Sequence, residues 1–256
     1  MLFDVVDGSG PLSANKPCVS GCGRRKAVLW HIGLNPMGDS SAPGVPDEFQ
    51  RRAVPLFFFS YAHAGQPSPL VVEFFNDLSV DVAELVGMPA GSDPGFMDQS
   101  MVGGATWGEE LLNAVGTCQV FIALLSGPYV ASSWCGKEWS AFSRRKVISR
   151  SGDDATFRTG MIPVIWTTPM PDENRLPLPV TRVQRFSPRE LNGENIRGPY
   201  EANGVYGLLR QNLLEQYRWV VWRLAQSIAE FHFAYRVEPL VLREDDLGDT
   251  FRERQP

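Results

Sequence analysis

Histidine and cysteine are scarce in this chain, with three histidines (His31, His63 and His232) and four cysteines (Cys18, Cys22, Cys118 and Cys135) in 256 residues. Four scattered thiols do not build a disulfide framework at this size, and so few histidines do not make a histidine-rich catalytic metal centre. Cys18 and Cys22, with His31 downstream, come nearest to a metal set, but they lack a fourth ligand and the usual spacing, so no metal is expected. No apolar stretch approaches the ~20 residues that cross a bilayer. The start, MLFDVVDGSG, is acidic and lacks the charged-then-apolar order of a signal peptide, so a cytoplasmic protein with no membrane partner is expected. The formal net charge is −5, which argues against a nucleic-acid partner. The local cluster Arg144, Arg145, Lys146 and Arg150 reads as a solvated helix face. Phosphate-binding and hydrolase signatures are missing too: there is no G-x-x-x-x-G-K-S/T, no G-x-G-x-x-G after the first strand and no G-x-S-x-G. Their absence disfavours a P-loop NTPase, a kinase, a Rossmann dehydrogenase and an α/β-hydrolase.

What the chain has is 43% hydrophobic residues, enough for one full core. Residues 1–52, rich in Gly, Pro and Ser, show no sustained period and read as a flexible leader. A structured domain is expected over 53–235. It opens with the strand VPLFFFSY and a small-residue loop from Ser60 to Gly65. Val71, Phe74, Phe75, Leu78, Val82, Leu85 and Val86 then give the spacing of a buried helix face from Leu70 to Val86. After a turn over 87–95, Phe96-Met97-Asp98 is a minimal strand, followed by a helix from Trp107 to Thr117. CQVFIALL, from Cys118 to Leu125, is an unbroken apolar run and predicts a strand buried on both faces. A helix is expected from Trp134 to Ile148, and a strand from Met161 to Trp166, in which Pro163 calls for a bulge or an edge position. Val183 to Phe186 is a candidate fifth strand. Tyr206 to Phe231 repeats every three or four residues, as one helix of about seven turns would, with Trp222 opposite the apolar stripe. Residues 236–256 are expected to form a charged tail, disordered after Leu242.

Alternating strands and helices imply a mostly parallel five-stranded sheet with helices on both faces, an α/β fold of the flavodoxin-like kind. Ligands bind such sheets beyond the carboxyl ends of the strands, where the winding reverses, here between the first and third strands. Those ends are Ser60 to Gly65 and Ser126 to Tyr129. At the second of them stands SGPYVASSWCGKEW, from Ser126 to Trp139, in which Glu138 shares a helix face with Trp134. A carboxylate among aromatics is either a misplaced surface residue or a group whose protonation and hydrogen bonding are controlled, and in the second case it marks a candidate site.

S-x-x-Y-x-x-S-x-W-C-x-x-E, built here from Ser126, Tyr129, Ser132, Trp134, Cys135 and Glu138, resembles the hallmark of the Toll/interleukin-1 receptor (TIR) domain. FFFSYAHAG is similar to that family's first strand and loop, and GFMDQSMVGGATWGEELLNAV to its Phe-x-Asp loop and next helix. The resemblance, strongest to NAD-cleaving bacterial and plant members, covers about residues 54 to 186. The final helix, with GVYGLLRQ ahead of it, also resembles TIR-like proteins of actinobacterial conflict or peptide-maturation clusters. The resemblance implies a three-layer TIR fold and an NAD nucleosidase in bacterial immune, antiphage or cell-suicide signalling. NAD would be substrate rather than cofactor, yielding ADP-ribose or a cyclic isomer. Glu138 would be the catalytic carboxylate, and Ser60, Tyr61, Ala62, His63, Phe96, Asp98, Trp107, Ser126, Tyr129 and Trp134 would bind the substrate. Self-association through TIR surfaces and the 87–104 loop is implied as well. The chain departs from the pattern at Ala62-His63, where some members carry basic residues, and at Gly103-Gly104, where an Arg-Gly pair is common. A non-catalytic TIR scaffold and an ADP-ribosyl or base-exchange transferase stand as the alternatives.

Overall fold

The computed structural model describes residues 54–62, 67–89, 91–98, 108–152, 159–190 and 195–252. The leader at 1–52, with Cys18, Cys22 and His31, lies outside the described residues. So do His63, Trp107, the Gly103-Gly104 pair and part of the 87–104 loop.

Four parallel strands form the main sheet in the order β2-β1-β3-β5: β1 (Phe57–Ser60), β2 (Gly95–Phe96), β3 (Val120–Leu125) and β5 (Met161–Ile165). Their side chains alternate between two cores, as the pleat requires. Phe57, Phe59, Val120, Ile122 and Leu124 face the first core, with α1 (Pro69–Val86), α6 (Arg197–Arg210) and α7 (Leu214–Ala234) packed against it. Phe58, Phe121, Ala123 and Leu125 face the second, which is covered by α2 (Glu109–Thr117), α3 (Gly127–Ala131), α4 (Ser133–Ser143) and the short α5 (Leu178–Thr181). Burial on both faces explains why β1 and β3 read as unbroken apolar runs. This is the flavodoxin-like α/β architecture expected of the sequence. The reversal of winding falls between β1 and β3, whose register pairs Phe57 with Val120 and Ser60 with Ala123.

Several local expectations are corrected. Among the described residues the main sheet has four strands, not five, because Val183 to Phe186 is not a strand. Phe186 N donates instead to Pro163 O at 2.8 Å, as a single bond along the outer side of β5. Pro163 does sit on an edge strand, opposite Ala123, where its missing N–H costs the sheet no ladder bond. The helix expected to reach Ile148 ends at Ser143. Val147–Ser149 forms β4, antiparallel to β6 (Tyr235–Val237), a partner too distant in sequence for periodicity to reveal.

The long last helix is two. Asn212 adopts φ 58°, Asn212 N bonds Leu209 O at 3.1 Å and Leu213 N bonds Leu208 O at 2.9 Å, the Schellman arrangement that ends α6. The apolar stripe runs across this break because Leu209, Leu213 and Tyr217 keep their four-residue spacing. Gly204 interrupts α6 with φ 64°, and a Cβ built on it would stand 2.5 Å from Trp166 O, whose other contact is Tyr206 N at 2.9 Å. Gly204→Ala therefore meets both backbone strain and a clash. Thermal unfolding should show a loss of about 1–3 kcal/mol, and an unchanged Tm would mean that α6 can rewind without this kink.

The expected disordered tail is folded as far as it is described. Leu242 and Leu247 are buried in the second core, and Phe251 packs against it. Glu238 N bonds Lys146 O, and Leu240 N bonds Gly116 O, both at 2.9 Å. Arg145, expected on a solvated face, is only 8% exposed. It donates to Val115 O at 2.9 Å, Cys118 O at 2.6 Å and Glu238 O at 3.1 Å, tying the end of α2 to this segment.

Candidate active site

Two local signals build the site. Ser126, extended and placed just after β3, caps α3 by accepting Tyr129 N at 3.2 Å, and Ser132 caps α4 by accepting Cys135 N at 3.3 Å. Two serine caps six residues apart thus turn the chain sharply beyond β3 and fix how α4 departs. That turn delivers Glu138 to the carboxyl end of β1, the neighbouring strand. Its Oε2 accepts a short hydrogen bond from Ser60 Oγ, and Ser60 Oγ lies 3.0 Å from the Tyr129 hydroxyl. Glu138 is 2% exposed, and Ser60 and Tyr129 are buried beside it.

A second layer surrounds this trio. Tyr61 donates its hydroxyl to Asp98 O at 2.7 Å, joining the end of β1 to the end of β2, and the Cys135 thiol lies 3.5 Å from Tyr61 O. Trp134 stands one helical turn before Glu138, and its indole favours the charged carboxylate. Burial dominates the electrostatics, pushing the Glu138 carboxyl up to about 8. The Ser60 hydrogen bond opposes that rise, and the Asp98 charge adds to it. Burial first, and neighbouring negative groups second, likewise hold the Tyr61 and Tyr129 phenols and the Cys135 thiol in their protonated forms.

A carboxyl raised above its ordinary value keeps its proton in the folded state while the unfolded chain releases it, so stability falls as pH rises from about 4.5 to about 8. Glu138→Gln removes that dependence. The Tm of the variant minus that of the parent should grow from pH 5 to pH 8, by up to about 1.4 kcal/mol per pH unit in free-energy terms. A difference that stays constant over this range would show that Glu138 is ionised throughout.

Of the residues singled out from sequence, the fold brings Ser60, Tyr129 and Glu138 into direct contact and gathers Tyr61, Asp98 and Trp134 around them. Ser126 is a helix cap, its hydroxyl spent on Tyr129 N. Phe96 is half-buried and stacks on Phe58 with ring centroids 5.6 Å apart, and Ala62 packs on the same core. His63 and Trp107 fall outside the described residues. Sequence reasoning missed the groups supporting the site from behind. Phe251 lies 5.9 Å from the Tyr129 ring and 5.8 Å from Trp139, and a Cβ on Gly136 would collide with Asp249 Oδ1. An aromatic stranded in a charged tail was the available signal. Trp222 is half-buried in a cavity of about 760 Å³ that is lined also by Asp77, Asp81, Glu215 and Trp219, between α1 and α7 and apart from Glu138.

No helix among the described residues is long and apolar enough to cross a membrane. No curated protein matches the chain, and no solved structure does either. The family model of the TIR domain, however, matches residues 57–193, which span β1, the capped turn beyond β3 and Glu138. With that match extending over more than half of its length, and with the parallel sheet and reversed winding just described, the chain belongs to the TIR domain family.

Proposed function

We propose that this chain is an NAD nucleosidase that breaks the bond between nicotinamide and ribose, with Glu138 as its catalytic carboxylate. Membership of the TIR family supports an NAD-related or signalling role. The observation that carries the finer reading is a buried carboxylate held by Ser60 at the carboxyl ends of β1 and β3.

The chemistry follows from charge. In NAD the nicotinamide is cationic. When its bond to the ribose breaks, the electron pair stays on the ring nitrogen, the ring departs neutral and the positive charge moves to the sugar as an oxocarbenium-like centre. An anionic Glu138 beside that carbon stabilises the charge and accepts hydrogen bonds from the ribose hydroxyls. A neutral leaving group needs no general acid, so a single carboxylate suffices. In the free protein at neutral pH, Glu138 carries its proton, and the cationic nicotinamide ring of an arriving substrate favours the charged form, the proton passing to water. Capture of the sugar by water, with loss of a proton, gives ADP-ribose. Capture by an adenine nitrogen gives a cyclic isomer. The role in bacterial immune or cell-suicide signalling, with NAD as substrate and self-association through TIR surfaces, belongs to the same proposal.

One observation favours the scaffold reading: a carboxyl 2% exposed and already hydrogen-bonded is also what a structural residue would be. Incubating concentrated protein with NAD and separating the products by chromatography decides between them. Free nicotinamide supports the enzyme, and unchanged NAD supports the scaffold. Nicotinamide that appears only when an acceptor is added supports transfer of the ADP-ribosyl group.

A further inference from the structure

Ser60 is the last residue of β1, Tyr129 lies in α3, and Glu138 lies in α4, yet their polar atoms form one continuous chain. Hydrogen counting gives the chain a direction in the charged form of Glu138. Oε2 then accepts the one hydroxyl hydrogen of Ser60, so the bond between Tyr129 and Ser60 is donated by Tyr129. The order is Tyr129 Oη–H to Ser60 Oγ–H to Glu138 Oε2, with each donor oriented by the one before it. Register holds Ser60, because β1 pairs it with Ala123 of β3, and the Ser126 cap holds Tyr129.

We propose that Ser60, oriented by Tyr129, is the positioning residue of this site. It fixes one oxygen of Glu138 in place and favours the charged carboxylate, leaving Oε1 for the ribosyl cation. The inference rests on the nucleosidase reading above but concerns the carboxylate itself. The groups facing Glu138 from each packed element are consistent with it. Tyr61 from the end of β1, Tyr129 from α3 and Cys135 from α4 are all uncharged, and burial keeps them so. Asp98, after β2, brings negative charge that disfavours ionisation of Glu138, and Trp134 is neutral. Among the described residues, Ser60 and the Trp134 indole thus act in favour of the carboxylate, and Ser60 is itself supported by a second donor, Tyr129. A charged hydrogen bond in a buried setting is strong enough to move a titration by a unit or more.

The test is the titration of Glu138 in the full chain, followed through the infrared band of the protonated carboxyl and assigned by its loss in Glu138→Gln. Ser60→Ala should shift that titration upward by about one unit or more. Tyr129→Phe should move it in the same direction by less, since Ser60 can still donate. Nicotinamide release at pH 7 should fall about tenfold in Ser60→Ala and recover in part at higher pH, a profile that loss of packing alone would not give. An unchanged Glu138 titration in folded Ser60→Ala overturns the proposal. If that variant does not fold, an unchanged titration in Tyr129→Phe overturns it instead. A shifted band in a protein whose parent releases no nicotinamide upholds the positioning role and removes the proposed activity, so the two failures are distinct.

Discussion

Replacing Glu138 by alanine is expected to lower nicotinamide release by ~10²- to 10³-fold or more, equivalent to roughly 3–4 kcal/mol of barrier. The loss should appear in kcat, because the carboxylate acts on charge that develops as the bond breaks. Alanine also removes the acceptor of Ser60 and leaves a cavity beside Tyr129, so a modest fall in stability is expected with it. Glu138→Gln separates the two effects. It keeps the shape and an acceptor oxygen for Ser60 but carries no charge, so it should be as inactive as alanine while unfolding no lower than the parent at pH 7. Substantial release by a folded Glu138→Gln protein would remove charge stabilisation from the mechanism. Loss of activity in alanine alone would reduce Glu138 to a structural acceptor.

Why the site was legible and its support was not comes down to distance along the chain. Ser126, Trp134 and Glu138 lie within one turn and one helix directly after β3, so the end of an apolar run and helical spacing placed them from local sequence, whereas the caps at Ser126 and Ser132 emerged only from the structure. The unbroken apolar runs of β1 and β3 gave the sheet, and the sheet gave the crevice where Ser60 meets Glu138. By contrast, Val147–Ser149 became a strand only through its pairing with Tyr235–Val237, and the segment after Val237 folded through the second core and through contacts with residues distant in sequence, Gly116, Lys146 and Gly136 among them. Such pairings leave no period in either segment. The break between α6 and α7 was a different failure: the apolar stripe keeps its phase across Asn212, so periodicity shows no interruption where the structure ends one helix and begins the next. Arg145 was misread for a third reason, since three basic residues in a row look solvated until the fold turns the middle one inward.

That inward arginine leads to the second large effect. Arg145 N–H groups satisfy Val115 O and Cys118 O, carbonyls at the end of α2 with no helical partner, and Glu238 O on the segment beyond β6. A cation there also suits the negative end of the helix dipole. Arg145→Ala strips donors from three carbonyls at once, and each buried group left unpaired costs about 1–3 kcal/mol, less what entering water restores. A net loss of about 3–5 kcal/mol is expected, or a Tm lower by roughly 6–20 °C in a domain of this size. Arg145→Lys should recover little, because a single ammonium on a flexible stem cannot reproduce a planar fork aimed at three oxygens. Lys146→Ala, at an exposed neighbouring position, should change stability by no more than about 0.5 kcal/mol. Release of Glu238 also frees the segment that seats Phe251 on Tyr129 and Asp249 on Gly136, so limited proteolysis of Arg145→Ala should cut after Val237 before it cuts the sheet. An Arg145→Ala protein with the parent's Tm and an uncut C-terminal segment would show that the second core, through Leu242, Leu247 and Phe251, holds that segment without the arginine.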